Sequence, residues 1–209
     1  HGQGETRTRA AHPRQHQVSG ADDERAAREG VLMQAMATGV DGVWVLEPRL
    51  FGDARGFFYE SFNEKTFQQV TGVKASFLQD NHSRSAKGVL RGLHYQIEQA
   101  QGKLVRVVKG AVFDVAVDIR KNSSTFGKWV GVELTAENFK QLWIPPGFAH
   151  GFLVLENNTE FLYKTTDYYA PAHERCIAWN DQQLNIQWPL NGELPNLSAK
   201  DQQGALLSQ

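Results

Sequence analysis

From Val40 onward, short apolar runs recur along the chain, and Gly, Pro, Asn or Asp separates each run from the next. Examples lie at 43–46, 104–108, 129–134 and 161–165. The segment 113–119 alternates with a period of two, which is the pattern of a strand with one buried face. Many short strands with turn residues between them predict a β-sandwich or a barrel. A parallel α/β sheet is not indicated, because helical and strand patterns do not alternate.

Two short helical pieces are predicted beside these strands. Asn63 is a helix-capping residue type in front of residues 64–70, and Gly72 follows as a stop. Ser198, with Asp201 three positions later, resembles an acidic variant of a capping box at the start of the C-terminal tail. The predicted fold is therefore an all-β barrel with short flanking helices.

The first 35 residues differ in composition from the rest. They contain almost no large apolar residue before Val31. Such a segment cannot bury enough surface to offset the entropy lost on ordering. We therefore expect a flexible polar extension at 1–35, one folded domain at 36–209, and Met36 as a candidate natural start.

Charge and cysteine content indicate which binding partners and which cellular compartment to expect. The formal net charge of −1 leaves no basic excess to neutralise a nucleic-acid backbone, so no nucleic acid is expected. Cys176 is the only cysteine, which excludes an intrachain disulfide and suits a reducing cytoplasm. No run approaches the ~18 apolar residues of a membrane span, so no membrane partner is expected.

The stretch 145–152, PPGFAHGF, resembles the second motif of cupins, which are double-stranded β-helix (jelly-roll) barrels that often bind a metal. The first cupin motif would supply a His-x-His pair and a later Glu. Here the matching residues are His94, Gln96 and Lys103. Because a glutamine and a cation replace metal ligands, we expect a cupin-type barrel without a catalytic metal.

These replacements suit a different chemistry. A histidine without a metal, such as His94, is a natural general base at neutral pH. Lys103 could stabilise a developing oxyanion, and the Tyr163 phenol could return a proton. Arg55 and Arg91 have the planar fork that grips phosphate oxygens. Together these groups indicate proton abstraction beside a carbonyl on a phosphorylated substrate.

Seven stretches in order, from about residue 40 to the C-terminus, resemble the dTDP-4-dehydrorhamnose 3,5-epimerase family. They read FGDARGFF (51–58), QDNHS (79–83), LRGLHYQ (90–96), QGKLVR (101–106), VFDVAVD (112–118), WIPPGFAHGF (143–152) and LSAKD (197–201). The resemblance implies inversion of C3 and C5 of dTDP-4-dehydro-6-deoxy-D-glucose to dTDP-4-dehydro-L-rhamnose, a step toward dTDP-L-rhamnose for lipopolysaccharide or cell-wall polysaccharide. It also implies no cofactor, and a homodimer in which each protomer lends residues to its partner's site.

The resemblance assigns roles residue by residue. His94 would be the base, Asp201 would orient and charge it, Tyr163 would be the acid on the opposite face, and Lys103 would hold the C4 oxygen. The remaining residues expected to line the nucleotide-sugar site are Arg55, Glu60, Gln79, Asn81, Arg91, His150, Glu174 and Lys200.

Several alternatives stay open from the sequence. A related cupin could act on one carbon only, as a 3- or 5-epimerase, or as a sugar-nucleotide ketoisomerase. A metal-dependent cupin oxygenase and a non-catalytic sugar-binding cupin are rivals from other classes. Arg91 and His94 are three residues apart, so a regular strand would point them to opposite faces. Gly92 would have to allow a bulge for both to reach one cavity.

Overall fold

The computed structural model describes residue 30 and residues 32–208, and these form two antiparallel sheets and one hairpin. The six-stranded sheet has the order β1 (Met33–Ala37), β2 (Trp44–Pro48), β10 (Gln141–Ile144), β7 (Lys103–Lys109), β12 (Thr159–Thr165) and β5 (Gln79–Ser85). The five-stranded sheet has the order β13 (Glu174–Cys176), β6 (Leu90–Gln96), β11 (Phe148–Val154), β8 (Ala111–Asp118) and β9 (Trp129–Thr135). The hairpin pairs β3 (Phe51–Asp53) with β4 (Gly56–Phe58).

The main core lies between the two sheets. Both sheets contribute to one buried cluster, with Val105 from β7 and Phe161 from β12 on one side and Ala116 from β8 and Phe152 from β11 on the other. Two sheets that bury their inner faces against each other form a sandwich or barrel architecture. The all-β prediction is therefore confirmed.

Strand β8 has the predicted period-two pattern, but both of its faces are buried. Ala116 points into the main core, whereas Val115 and Val117 pack on the outer side with Ile177 and Leu184 from the C-terminal segment. The expectation of a single buried face was wrong, because the chain after β13 returns to cover the outer face of this sheet.

The predicted helix is present as α1, Glu64–Thr71. The Asn63 side chain accepts the Thr66 amide proton at 3.1 Å, and Gly72 ends the helix at φ 72°. Helix α1 buries Phe67 against Trp143 on the outer face of the six-stranded sheet. The second predicted piece is a 3₁₀ turn at Asp201–Gln203, and another 3₁₀ turn spans Pro171–His173. Along residues 32–208, no helix is long and apolar enough to cross a membrane.

Strand β1 begins before the domain boundary predicted at residue 35. Met33 is 2% exposed and packs in the same cluster as Phe67 and Trp143, and β1 pairs with β2 along its whole length. Residues 33–35 therefore belong to the sheet. The rest of the predicted extension, residues 1–29 and 31, lies outside the described residues.

Candidate active site

A cavity of about 480 Å³ lies between the two sheets, a volume that suits a small ligand. Strands β6, β11 and β13 supply one wall, β5, β7 and β12 supply the facing wall, and residues 196–201 add a further side. The cavity brings together eight of the predicted site residues, which are Arg91, His94, Lys103, His150, Tyr163, Glu174, Lys200 and Asp201.

A bulge in the pairing of β6 with β11 places Arg91 and His94 in this same cavity. His94 pairs with His150 and Arg91 pairs with Phe152, so two residues of β6 stand opposite one residue of β11. Gly92 has φ 124°, a conformation that favours glycine. The predicted bulge at Gly92 is therefore confirmed, and it changes which face of the strand these side chains occupy.

His94 and Asp201 form a close pair on the cavity wall. His94 Nε2 lies 2.6 Å from Asp201 Oδ1, while the Ser198 hydroxyl donates to Asp201 Oδ2 at 2.7 Å. Burial favours the protonated acid, but the hydrogen bonds from His94 and Ser198 outweigh it and hold the pKa of Asp201 below its ordinary value. Asp201 is therefore a carboxylate at neutral pH and can orient the imidazole and stabilise it when protonated.

Tyr163 and Lys103 lie on the facing sheet. Burial is the main cause that raises the pKa of Tyr163, with the Arg91 charge opposing it, so the phenol keeps its proton at neutral pH. Lys103 is 8% exposed, and burial lowers its pKa to about 8 while the charges of Asp114 and Glu174 oppose the change. The ammonium form still dominates at pH 7, so the cavity has a proton donor and a cation opposite His94.

His150 contacts a residue that the sequence did not single out. Its Nε2 lies 3.0 Å from Oδ1 and 2.9 Å from Oδ2 of Asp114, and Asp114 is fully buried. A signal was present, because Asp114 has the same strand parity as Val112 and Ala116, which face the main core. A charged residue at a core-facing position is costly unless a hydrogen-bond or ion-pair partner lies beside it.

A third polar group lies at the cavity rim around Glu174. Its Oε2 accepts hydrogen bonds from Lys200 Nζ and from the Tyr169 hydroxyl, the latter at 2.7 Å. Burial favours the protonated acid, but the hydrogen bonds from Lys200 and Tyr169 outweigh it and hold the pKa of Glu174 below its ordinary value, so the group is an anion at neutral pH. Tyr169 also lines the cavity and was missed from the sequence, where an exposed aromatic in a loop gives no signal.

Four predicted site residues do not line this cavity. Gln79 accepts the Tyr169 amide proton at 3.1 Å, and Asn81 lines a smaller cavity of about 130 Å³ that shares Tyr163 with the main one. Arg55 lies in the turn of the β3–β4 hairpin, paired with Asp53, and its side chain is 90% exposed. Glu60 accepts from the Asn63 amide at 2.7 Å. Within one chain, Arg55 and Glu60 are therefore apart from the predicted site.

A match to a model of a known protein family shows which family this chain belongs to. The family model described as dTDP-4-dehydrorhamnose 3,5-epimerase matches residues 37–209. The chain belongs to this family. The family identified from the seven motifs is thus confirmed, and with it the cupin-type fold class.

Individual members of the dTDP-4-dehydrorhamnose 3,5-epimerase family are similar over most of the chain. The Pseudomonas aeruginosa protein of that name is 63% identical over 172 residues, which cover 82% of this chain and 94% of the relative. The Salmonella typhimurium protein is 59% identical over 179 residues, or 85% and 97% of the two chains. The crystal structure of the Legionella pneumophila dTDP-6-deoxy-D-glucose-3,5-epimerase, in complex with dTDP-4-keto-L-rhamnose, superposes with a TM-score of 0.82. It is 56% identical and covers 84% of this chain and 93% of that chain.

One group of side chains in this epimerase-family site has the donor types of a metal site. Ligand atoms of His94, Cys176 and Asp201 lie within 4.8 Å of one another. Burial raises the pKa of the Cys176 thiol to about 11, so a metal would have to displace a firmly held proton to bind this sulfur. Gln96, at the position of a cupin ligand, bonds instead to the Gln99 carbonyl and the Ala170 amide. These contacts favour the prediction of a site without a catalytic metal.

Proposed function

We propose that the protein inverts C3 and C5 of dTDP-4-dehydro-6-deoxy-D-glucose to give dTDP-4-dehydro-L-rhamnose. Relatives at 59–63% identity are named for 3,5-epimerisation, and a similar solved structure has dTDP-4-keto-L-rhamnose bound. The observation that carries the residue roles is the contact between His94 on one sheet and Asp201 of the C-terminal 3₁₀ turn, with Tyr163 and Lys103 on the facing sheet of the same cavity.

The chemistry follows from the C4 ketone, which acidifies the hydrogens on C3 and C5. His94 takes a proton from one carbon. The electron pair of that C–H bond forms a C=C bond to C4, and the π pair of the C4 carbonyl moves onto O4, which gives an enolate. Lys103 donates a hydrogen bond to the enolate oxygen. Tyr163 then gives its proton to the carbon from the opposite face, which inverts it. His94 returns its proton to solvent and Tyr163 recovers one before the second carbon reacts.

The charges of the site suit these roles. Asp201 stays ionised and stabilises the His94 imidazolium that forms during the reaction. Because its pKa is raised, the Tyr163 phenol is still protonated when the enolate forms and can donate that proton to carbon. Arg91 and Lys200 line the cavity as cations and are our candidates for the pyrophosphate, because guanidinium and ammonium groups bind phosphate oxygens.

We also propose a homodimer in which the partner supplies Arg55 and Glu60. In the β3–β4 hairpin, Phe57 is 62% and Phe58 69% exposed, which is unusual for adjacent large apolar residues. A second copy that covered this hairpin would bury both rings, and Arg55 of the first copy could then enter the cavity of the second.

The single cysteine is consistent with residence in the cytoplasm.

Turnover of the 4-keto sugar nucleotide in heavy water tests the proposed reaction. Each inversion that proceeds through an enolate should leave one deuteron from solvent on the inverted carbon. We expect product labelled at both C3 and C5 by NMR, with both centres inverted. Label at one carbon only would identify a single-carbon epimerase, and no label at either carbon would exclude the enolate route.

A further inference from the structure

Asp114 is a fully buried carboxylate in the middle of β8, on the face that points between the sheets. Both of its oxygens contact His150 Nε2, at 3.0 and 2.9 Å. A buried carboxylate is costly unless it is paired. The strand could have had an apolar residue here, so the pair is a candidate for a function beyond packing.

The contact fixes which nitrogen of His150 carries the proton. A carboxylate only accepts hydrogen bonds, so Nε2 must be the protonated nitrogen that donates to Asp114. Burial lowers the pKa of His150 and outweighs the Asp114 charge, so the ring is neutral near pH 7. A neutral imidazole with Nε2–H has a lone pair on Nδ1. His150 lines the cavity and can therefore accept a hydrogen bond there, but not donate one.

Asp114 also faces the sheet that carries Lys103, because Asp114 is buried between the two sheets on β8 and Lys103 is buried on β7 of the facing sheet. Burial lowers the pKa of Lys103 to about 8, and the charge of Asp114 is the largest influence that opposes this change, followed by Glu174. Without Asp114, the buried ammonium group would have one counter-charge fewer and would lose its proton at lower pH.

We propose that Asp114 is a positioning residue that fixes His150 as a hydrogen-bond acceptor for a sugar hydroxyl and, by its charge, keeps Lys103 protonated to face the C4 oxygen. The inference rests on the proposed function for the identity of the sugar and of its C4 oxygen. Asp114 itself does not line the cavity. Because Asp114 leaves a lone pair on Nδ1 of His150, that nitrogen would repel the enolate oxygen. Lys103 alone therefore donates a hydrogen bond to the enolate oxygen.

The pH profile reports on this arrangement, and several titratable groups contribute to it. Those that face Lys103 from the surrounding strands are His94 on β6, Asp114 on β8, His150 on β11, Tyr163 on β12 and Glu174 on β13. Lys103 must be charged, so the alkaline limb should fall as pH rises through about 8.

The test compares Asp114→Asn with Asp118→Asn. Asp118 is a matched control, since it is also fully buried on the same face of β8 but bonds to Arg120, Ser123 and Thr125 instead of the cavity residues. We expect Asp114→Asn to shift the alkaline limb of kcat/KM to lower pH and to lower kcat/KM roughly 10- to 100-fold, the range found for carboxylates that orient a metal-bound imidazole. Asp118→Asn should lower the melting temperature but leave the pH profile in place.

Nitrogen-15 NMR of His150 in the wild-type apoprotein tests the tautomer without any variant. We expect the neutral Nε2–H form near pH 7, and a mixture with Nδ1–H in Asp114→Asn. A wild-type Nδ1–H or doubly protonated ring would overturn the proposal. So would an alkaline limb that is the same in Asp114→Asn as in Asp118→Asn. Because the NMR result needs no substrate, it separates failure of this inference from failure of the proposed reaction.

Discussion

At the residue scale, the side chains that carry out the proposed reaction were easier to predict than the side chains that hold them in place. His94, Lys103 and Tyr163 could be assigned because their residue types match the steps of an enolate reaction, and the structure places all three on one cavity. The sequence did not reveal that Asp114 contacts His150 or that Ser198 contacts Asp201 outside the cavity's reacting groups. The strand parity of Asp114 shows that it needs a buried partner but does not say which residue that partner is, and the spacing of Ser198 and Asp201 also fits a simple helix cap.

Ser198 offers a prediction about this support. Its hydroxyl donates to Asp201, so Ser198→Ala leaves the carboxylate with one donor fewer and holds His94 less firmly. We expect kcat to fall roughly 2- to 10-fold, which corresponds to the loss of a hydrogen bond worth about 0.5–1.5 kcal/mol. Ser123→Ala removes an equivalent Ser–Asp bond, to Asp118, and should leave kcat unchanged. Equal kcat values for the two variants would reduce Ser198 to a cap of the C-terminal turn.

At the element scale, apolar periodicity predicted most strands but not the polar ones. Strand β5, Gln79–Ser85, is an edge strand and carries no apolar run, and β1 begins in the stretch that the composition assigned to an extension. The bulge of β6 could be anticipated, since only an irregular strand brings Arg91 and His94 to the same face. What required the structure was the close approach of Gly92 to Gly151 on β11.

This close approach predicts a strong effect for Gly92→Ala. A Cβ at Gly92 would lie 2.5 Å from the Gly151 Cα and 2.7 Å from the His150 carbonyl oxygen, so the strands must separate and His94 must move. Gly88→Ala is the control, because Gly88 also has a positive φ but a Cβ there meets nothing within 4 Å. We expect Gly88→Ala to cost about 1–2 kcal/mol of unfolding free energy with activity retained. Gly92→Ala should cost more and lose activity; equal stabilities with full activity would show that the bulge does not position the base.

At the scale of the whole molecule, each sheet contributes half of the proposed reaction, with the base on one and the acid on the other. The two-sheet architecture could be predicted from strand patterns. The outer layer formed by Ile177, Leu184 and Trp188 could not, because that segment has no repeating period and packs against strands far away in sequence. Motifs also do not say which protomer a residue serves, and Arg55 does not line the cavity of its own chain.

Mixed dimers test the shared site. Arg55→Ala and His94→Ala should each be poorly active alone. If Arg55 acts on the partner's cavity, a mixed dimer has one site in which both residues are intact. Random reassociation of equal amounts makes half of the dimers mixed, so about a quarter of wild-type activity should return, one intact site in two. No recovery after confirmed subunit exchange would mean that both residues act within the same protomer, or that Arg55 does not serve the site.

The division of labour between His94 and Tyr163 is the central claim, and heavy-water exchange of the two variants tests it most directly. His94→Ala should lose both product formation and exchange at C3 and C5, since a positioned general base commonly contributes roughly 10²–10⁴-fold. Tyr163→Phe keeps the ring, so it should fold and still exchange, because His94 can remove a proton and return a deuteron to the same face. We predict exchange with retention for Tyr163→Phe and no exchange for His94→Ala. Inversion at the original rate by Tyr163→Phe, or normal exchange by His94→Ala, would contradict the account.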